Sequence, residues 1–309
     1  MRRFLGLRPV RHVLVTSAVV LVVCAAVFVL QLLEFSHAQA QLRGLTTPAT
    51  ATVVRADDGS ATVRFLVEGS PATATVELDG SAPKTGAQVA VLYDPAQPAR
   101  AVIRDAAPLV AQDRASTYAT VTVVAALVVL AVDGFLLVTR FVRTARAPAG
   151  APVPVRRVKV QRGLLTRSWL ETETATPRWI PVYFSPTLIG LPTPTEVTVH
   201  GDVRRDRHVA VSLGDDVLYP AGAVRDAEPL GRRLDNPAEP DEERSLAAAR
   251  PVPLHRQFRA DLPVLVVAPV VGAFWAVVDG SGFTGWLTIT VLVAGFGFWW
   301  AALRGSDPS

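Results

Sequence analysis

The stretch YATVTVVAALVVLAVDGFLLVTRFVRTAR, residues 118–146, decides how this chain is built. Its first part, Tyr118–Thr139, carries a single charged residue, Asp133. At 1.5 Å of rise per residue a run of this length covers the roughly 30 Å hydrocarbon core of a bilayer. A transmembrane helix is therefore expected over 118–139. Arginines then recur at 140, 143 and 146. Onward to Arg167 the basic residues number eight (Arg140, Arg143, Arg146, Arg156, Arg157, Lys159, Arg162, Arg167), with no acidic one among them. A flank of this kind stays in the cytoplasm under the positive-inside rule and faces anionic lipid. The helix thus returns the chain to the cytoplasm, and the segment Arg140 to Arg167 is expected to lie on anionic lipid.

Three further apolar blocks fall around this one. Val13–Leu33 is 21 residues without an ionisable group, preceded by Arg2, Arg3, Arg8 and Arg11. That makes 1–12 a cytoplasmic basic N-terminus and 13–33 the first transmembrane helix. A cleavable signal peptide is the competing reading, because Ala38-Gln39-Ala40 has the small-residue pattern of a cleavage site, although the apolar run exceeds the usual roughly 7–15 residues. Leu262–Val278 and Trp286–Leu303 read as a transmembrane hairpin joined by an outer Gly-rich turn, 279–285. Arg304 then keeps residues 304–309 cytoplasmic, and Trp286, Trp299 and Trp300 suit interfacial anchoring. The fold class expected is a polytopic α-helical membrane protein with four transmembrane helices and two small all-β soluble domains. One of these lies in the extracytoplasmic segment 34–117 and the other in the cytoplasmic segment 140–261.

Composition agrees. The 309 residues are 50% hydrophobic and 19% charged, and the mean hydropathy is +0.32. The net charge of +4 divides unevenly: Glu34–Arg114 holds 7 basic and 9 acidic residues, whereas Arg140–Asp261 holds 19 and 15. The basic excess lies beside a helix end with no stacking aromatics, which argues against nucleic acid. Only Lys84 and Lys159 are lysines, a bias of high-GC bacterial coding. The one cysteine, Cys24, cannot form an intrachain disulfide or a cysteine zinc site, and inside an apolar helix it reads as packing.

Between Thr50 and Arg104 the pattern is β. The runs Thr50–Arg55, Ala61–Val67, Ala72–Leu78 and Gln88–Tyr93 are separated by Asp58-Gly59, Gly69-Ser70-Pro71 and Asp79-Gly80. Alternation puts Val63, Phe65 and Val67 on one face and Thr62 and Arg64 on the other. The opening Ala51-Thr52-Val53-Val54 strand, the central hairpin and the closing Gly86-Ala87-Gln88-Val89-Ala90-Val91-Leu92-Tyr93-Asp94-Pro95-Ala96-Gln97-Pro98 stretch carry a family likeness. Over roughly Ala49 to Ile103 the chain resembles a domain of unknown function, number 3592, common in actinobacterial membrane proteins. Ala51 stands where that family commonly has Gly. The resemblance implies a membrane-anchored β domain and no activity.

Downstream, Ala145–Pro154 reads as a Pro/Ala linker and Leu234–Arg250 as a second polar stretch. Strands are expected between them at Val155–Val160, Trp179–Phe184, Glu196–His200 and His208–Leu213. The segment Val217–Leu230 echoes Val91–Leu109, an echo that chance and duplication explain equally well.

Two places hold candidate chemistry. His200, Asp202, Asp206 and His208 lie almost symmetrically about an expected hairpin tip and are suitable zinc or manganese ligands. Arg204, Arg205 and Arg207 would repel a cation and pair with the same aspartates, so a solvated turn is the plainer reading. Asp133 lies seven residues before Arg140, roughly 10 Å into the bilayer at helical rise, where a carboxyl is costly unless paired or protonated. It is either a helix-packing hydrogen-bond partner or a carboxyl reached by water, or else part of a transport path. No phosphate loop is present, since Gly80-Ser81-Ala82-Pro83-Lys84-Thr85 lacks the Gly before Lys. Nor is there a G-x-S-x-G, H-E-x-x-H, C-x-x-C or dinucleotide turn. The expected function is non-enzymatic and without a cofactor: envelope organisation, signalling or binding of an unknown protein partner or a second copy. The alternative is a subunit of an oligomeric transporter or channel that uses Asp133.

Overall fold

A computed structural model of the chain describes residues 6–235, 243, 246 and 253–309. Arg2 and Arg3 lie outside these residues, as does most of the polar stretch Leu234–Arg250. Among the described residues four helices are long and apolar enough to cross a membrane: α1 (Arg8–Leu42), α2 (Ala107–Arg146), α3 (Leu254–Asp279) and α4 (Gly282–Arg304). Each outruns its apolar block, because helix propagation adds a hydrogen bond per residue and does not stop where side chains turn polar. The described residues form two β sheets, and the chain divides into two compact units, Cys24–Ala125 and Met1–Val23 with Ala126–Ser309.

In the first of these units, β1 (Thr47–Asp57), β2 (Ser60–Val67), β3 (Ser70–Glu77), β4 (Gln88–Asp94) and β5 (Gln97–Ile103) form an antiparallel sheet in the order β3-β2-β1-β4-β5. A bridge between Leu78 and Ala106 joins the ends that follow β3 and β5, curling the sheet toward closure. Val53, Val63, Phe65, Val76 and Val91 fill its core while Arg64 points out, following the period-2 pattern. Tyr93 closes the core against Phe65, ring centroids 5.0 Å apart. The Asp94-Pro95 ending does more than stop β4. Asp94 Oδ1 accepts the Ala96 N–H at 2.9 Å, forming a tight turn into β5, a strand absent from the expected set.

The second unit is built on β6 (Ala149–Arg162), 14 residues long. With β7 (Leu165–Thr172), β8 (Trp179–Val182), β9 (Thr195–His200), β10 (Ala210–Leu213) and β11 (Asp216–Leu218) it makes a sheet in the order β11-β10-β9-β6-β7-β8, and β12 (Arg232–Asp235) pairs with the later part of β6. The expected Pro/Ala linker is thus largely strand. Pro152 stands where the β6–β9 register shifts, between Ala149 and Pro152, and irregular pairing is where a strand tolerates a missing N–H; both prolines also precede Val155, where the β6–β7 ladder begins. Strand β7, buried along most of its length, lacks the alternation that marks a half-exposed strand.

Helices α3 and α4 form a tight hairpin. A Cβ on Gly272 would lie 2.8 Å from the Trp286 carbonyl oxygen, so only glycine fits that approach. The turn between them is short: Gly280 takes a left-handed φ of 67° and Ser281 leads into α4.

After α4 the chain does not trail away. Gly305, at φ 71°, ends the helix, and a Cβ there would meet Ala221 Cβ at 2.8 Å and Tyr183 Cδ1 at 3.0 Å. Ser306 bridges Arg167, and the Asp307 N–H donates to the Thr166 carbonyl at 2.9 Å. Asp307 Oδ2 then meets Arg157 Nη2 at 2.7 Å, with the two side chains 0% and 2% exposed. Ser168 Oγ donates to the same oxygen at 2.5 Å. Burial by itself would raise the Asp307 pKa; Arg157 and the Ser168 and Ser309 donors outweigh it and hold the carboxyl below its ordinary range.

Breaking a buried pair by removing one charge leaves the other uncompensated, at a cost of about 3–5 kcal/mol. Asp307→Asn should therefore lower the thermal unfolding temperature of the detergent-solubilised protein. Because the folded pKa is depressed, this contribution is complete above the ordinary carboxylate range and is lost as pH falls through the lowered folded value. The variant should accordingly lose less stability on acidification than the parent.

Candidate functional site

Near its C-terminal end α2 widens into a π turn, Leu137–Val142, in which the Arg143 N–H reaches back five residues to the Val138 carbonyl. Such turns re-aim side chains. Here Arg140 and Arg143 face a cavity of about 630 Å³ against the second β domain, a size typical of ligand sites. Four more arginines reach the same space from separate places: Arg167 on β7, Arg207 before β10, Arg225 in the loop after β11, and Arg304 at the end of α4. Among the described residues the only carboxylate in the lining is Asp206. Among the described residues none of the six arginines forms an ion pair.

Two of the six have a structural task. Arg140 Nη1 donates to the Leu303 carbonyl at 2.6 Å and to the Tyr183 hydroxyl at 2.8 Å, while Arg167 Nε donates to the Arg304 carbonyl at 2.7 Å. These bonds satisfy the last carbonyls of α4 and place positive charge at the negative end of its dipole. Arg140 Nε remains buried without a hydrogen-bond partner. Arg143, Arg207, Arg225 and Arg304 complete the charged lining. Trp169 forms part of the wall, with the Arg167 and Arg225 guanidiniums 5.2 Å and 5.4 Å from its ring centroid.

The uncompensated charge registers on its neighbours. Burial, followed by the charges of Arg304, Arg225 and Arg140, pushes the Arg167 pKa down to about 10. Burial, followed by Arg140 and Arg207, lowers that of His208. A site whose own groups are disfavoured by like charge is arranged to receive an anion. Guanidinium forks match phosphate oxygens bidentately.

The expected basic segment is scattered by folding. Arg140, Arg143 and Arg167 line the cavity. Arg156 pairs with Glu171 and Glu173, Arg157 with Asp307, and Lys159 Nζ donates to the Ser309 carbonyl. The contributions of Arg207, Arg225 and Arg304 carry no sequence signal, since nothing in their local pattern points to a common cavity.

The metal-ligand candidates are also dispersed. His200 Nε2 lies 2.6 Å from Ser212 Oγ across the β9–β10 pair. Asp206 Oδ2 accepts the Asp202 N–H, and Asp202 Oδ1 accepts the Arg204 N–H. His208 lines the arginine cavity instead. Among the described residues no three His, Cys, Asp or Glu side chains gather as a metal-holding group.

Asp133 does have a partner: its Oδ1 accepts the Trp299 Nε1–H of α4 at 3.0 Å. A second pair escapes sequence reading. His12 Nε2 lies 3.0 Å from Asp261 Oδ2, both almost fully buried, with the His12 ring edge-on to Phe258 at 5.1 Å. A signal was available, because each residue immediately precedes its apolar block.

No family model, curated protein or solved structure matches this chain.

Removing one of the two named charges should release His208. In Arg207→Gln the imidazole pKa should rise toward the ordinary histidine value, read from a pH titration of its Cε1–H resonance. An unmoved midpoint would mean that burial and Arg140 set it without Arg207.

Proposed function

We propose that this chain is a non-enzymatic, multi-pass membrane protein that binds a phosphate-bearing anion on the cytoplasmic side. By the positive-inside rule the second β domain is cytoplasmic, as are both chain ends, and the first is extracytoplasmic. The observation that carries the reading is the cavity of about 630 Å³ lined by six arginines and one carboxylate. Such an imbalance around a concave space is costly when empty and is relieved by a multivalent oxyanion. The cavity suits a small charged group better than a nucleic acid strand, for which no row of stacking aromatics is available. In this proposal the first domain meets a protein partner or a second copy, and the protein serves envelope organisation or signalling. Membership of Ala49–Ile103 in the family numbered 3592 is part of the proposal, supported by the closing stretch that folds as β4 and the turn into β5.

A packing role for Asp133 is supported by its bond to Trp299. Intramembrane hydrogen bonds of this kind contribute about 0.6 kcal/mol and at most about 1.7 kcal/mol. Asp133→Asn, which keeps an acceptor, should leave membrane abundance unchanged, whereas Asp133→Leu should lower it. Loss of a proton-linked flux in Asp133→Asn, with abundance preserved, would favour transport.

Titration of inorganic phosphate into the full chain in neutral detergent, followed by calorimetry, tests the anion reading. The triple variant Arg143→Gln, Arg207→Gln, Arg225→Gln should bind about tenfold more weakly or worse, a change of about 1.4 kcal/mol. Arg64→Gln, exposed on β2, should bind as the parent does. Equal affinity in the triple variant would remove the cavity from consideration.

A further inference from the structure

Beside the arginine cavity lies a second space of different chemistry, a crevice of about 410 Å³ between α1 and α2, closed by Tyr183 and Leu303. Its walls are mainly aliphatic. The three polar side chains that face it, Ser17, Asp133 and Tyr183, all have internal partners. Ser17 Oγ donates to the Val13 carbonyl at 2.8 Å. Asp133 accepts from Trp299. The Tyr183 hydroxyl accepts from Arg140 and donates to the Leu303 carbonyl at 3.2 Å. What the crevice presents is hydrocarbon contact, and a polar solute gains little there.

The two spaces adjoin. Leu136 lines both, and Arg140, which belongs to the cavity, is bonded to the two residues that close the crevice. An apolar slot along two membrane-spanning helices therefore runs up to a group of guanidiniums at their ends. That is the polarity of a phospholipid, with its chain in the bilayer and its phosphate at the interface.

Building on the anion reading above, we propose that the cavity and crevice together hold one membrane phospholipid, its phosphate among the arginines and one of its hydrocarbon chains between α1 and α2. Charge complementarity selects an anionic headgroup, because a zwitterionic lipid brings its own cation into a site already crowded with positive charge. A free phosphate would satisfy the same guanidiniums and leave the crevice to bulk lipid, so the two occupants differ in whether the crevice contributes.

That difference is measurable on the full chain in neutral detergent, with retained lipid counted by native mass spectrometry and inorganic phosphate titrated in parallel. The probes are dioleoylphosphatidylglycerol and dioleoylphosphatidylcholine. The crevice is filled by Ala18→Leu with Gly134→Leu. A Cβ on Gly134 has no heavy atom within 4 Å, so the larger side chain enters open space. The expected result is retention of phosphatidylglycerol over phosphatidylcholine, a loss of about tenfold in phosphatidylglycerol affinity in the filled variant, and phosphate affinity there unchanged. The triple arginine variant should lose both ligands. Unchanged phosphate binding also shows that the filled variant is folded. If that variant binds phosphatidylglycerol as the parent does while phosphate binding still depends on the arginines, the lipid inference is overturned and the anion reading stands. If neither ligand depends on the arginines, both fall.

Discussion

The C-terminal end of α4 is where the helices of the larger unit are fastened to its β domain. An α-helix leaves its last carbonyls unsatisfied, and in a low-dielectric setting each needs a donor. Arg140 and Arg167 supply donors to Leu303 and Arg304, and the five residues beyond run into the sheet, where Asp307 meets Arg157. Buried Arg157 bonds the Leu188 carbonyl within the sheet domain and Asp307 and Ser309 beyond α4, which ties the sheet to the end of that helix. Gly305 makes this possible, since no other residue fits both its left-handed backbone and the approach to Tyr183 and Ala221.

The arginine cavity follows from that fastening. Once Arg140 and Arg167 are drawn to the end of α4, Arg304 is brought along, and the loops that carry Arg207 and Arg225 close the remaining sides. The like charges thus gathered are not neutralised among the described residues, and they add to burial in lowering the pKa values of Arg167 and His208. Stability and site are in tension here: the contacts that secure the helix end also concentrate positive charge that folding alone does not relieve. Sites in this condition are commonly functional ones.

The smaller unit shows a different economy. Its sheet curls around a core of small and β-branched side chains, with Phe65 and Tyr93 as the main aromatic contact. A domain of this size buries a modest fraction of its surface, and its charged contacts, such as Arg100 with Asp94 and Arg114 with Asp79, are partly exposed and worth little individually. Its stability therefore rests on the alternating apolar face.

The four long apolar helices, the two β regions and the inward face of Val63 and Phe65 were legible from sequence, because run length, period-2 alternation and turn residues are local properties. Strand β6 was harder, since Pro152 and Pro154 signal a linker unless the pairing of the strand with its neighbours accommodates them. Strand β7 hid for the opposite reason: burial on both faces erases alternation. The partner of Asp133 is 166 residues away, and that of Arg157 is 150. Neither has a periodicity to betray it. By itself the sequence determined where apolar and β segments lie and how much charge flanks them, since those depend on neighbours in the chain. Only the tertiary structure decided which of the eight clustered basic residues are paired off and which stand with Arg207, Arg225 and Arg304 around a common cavity, because a charge is neutralised by what lies beside it in space.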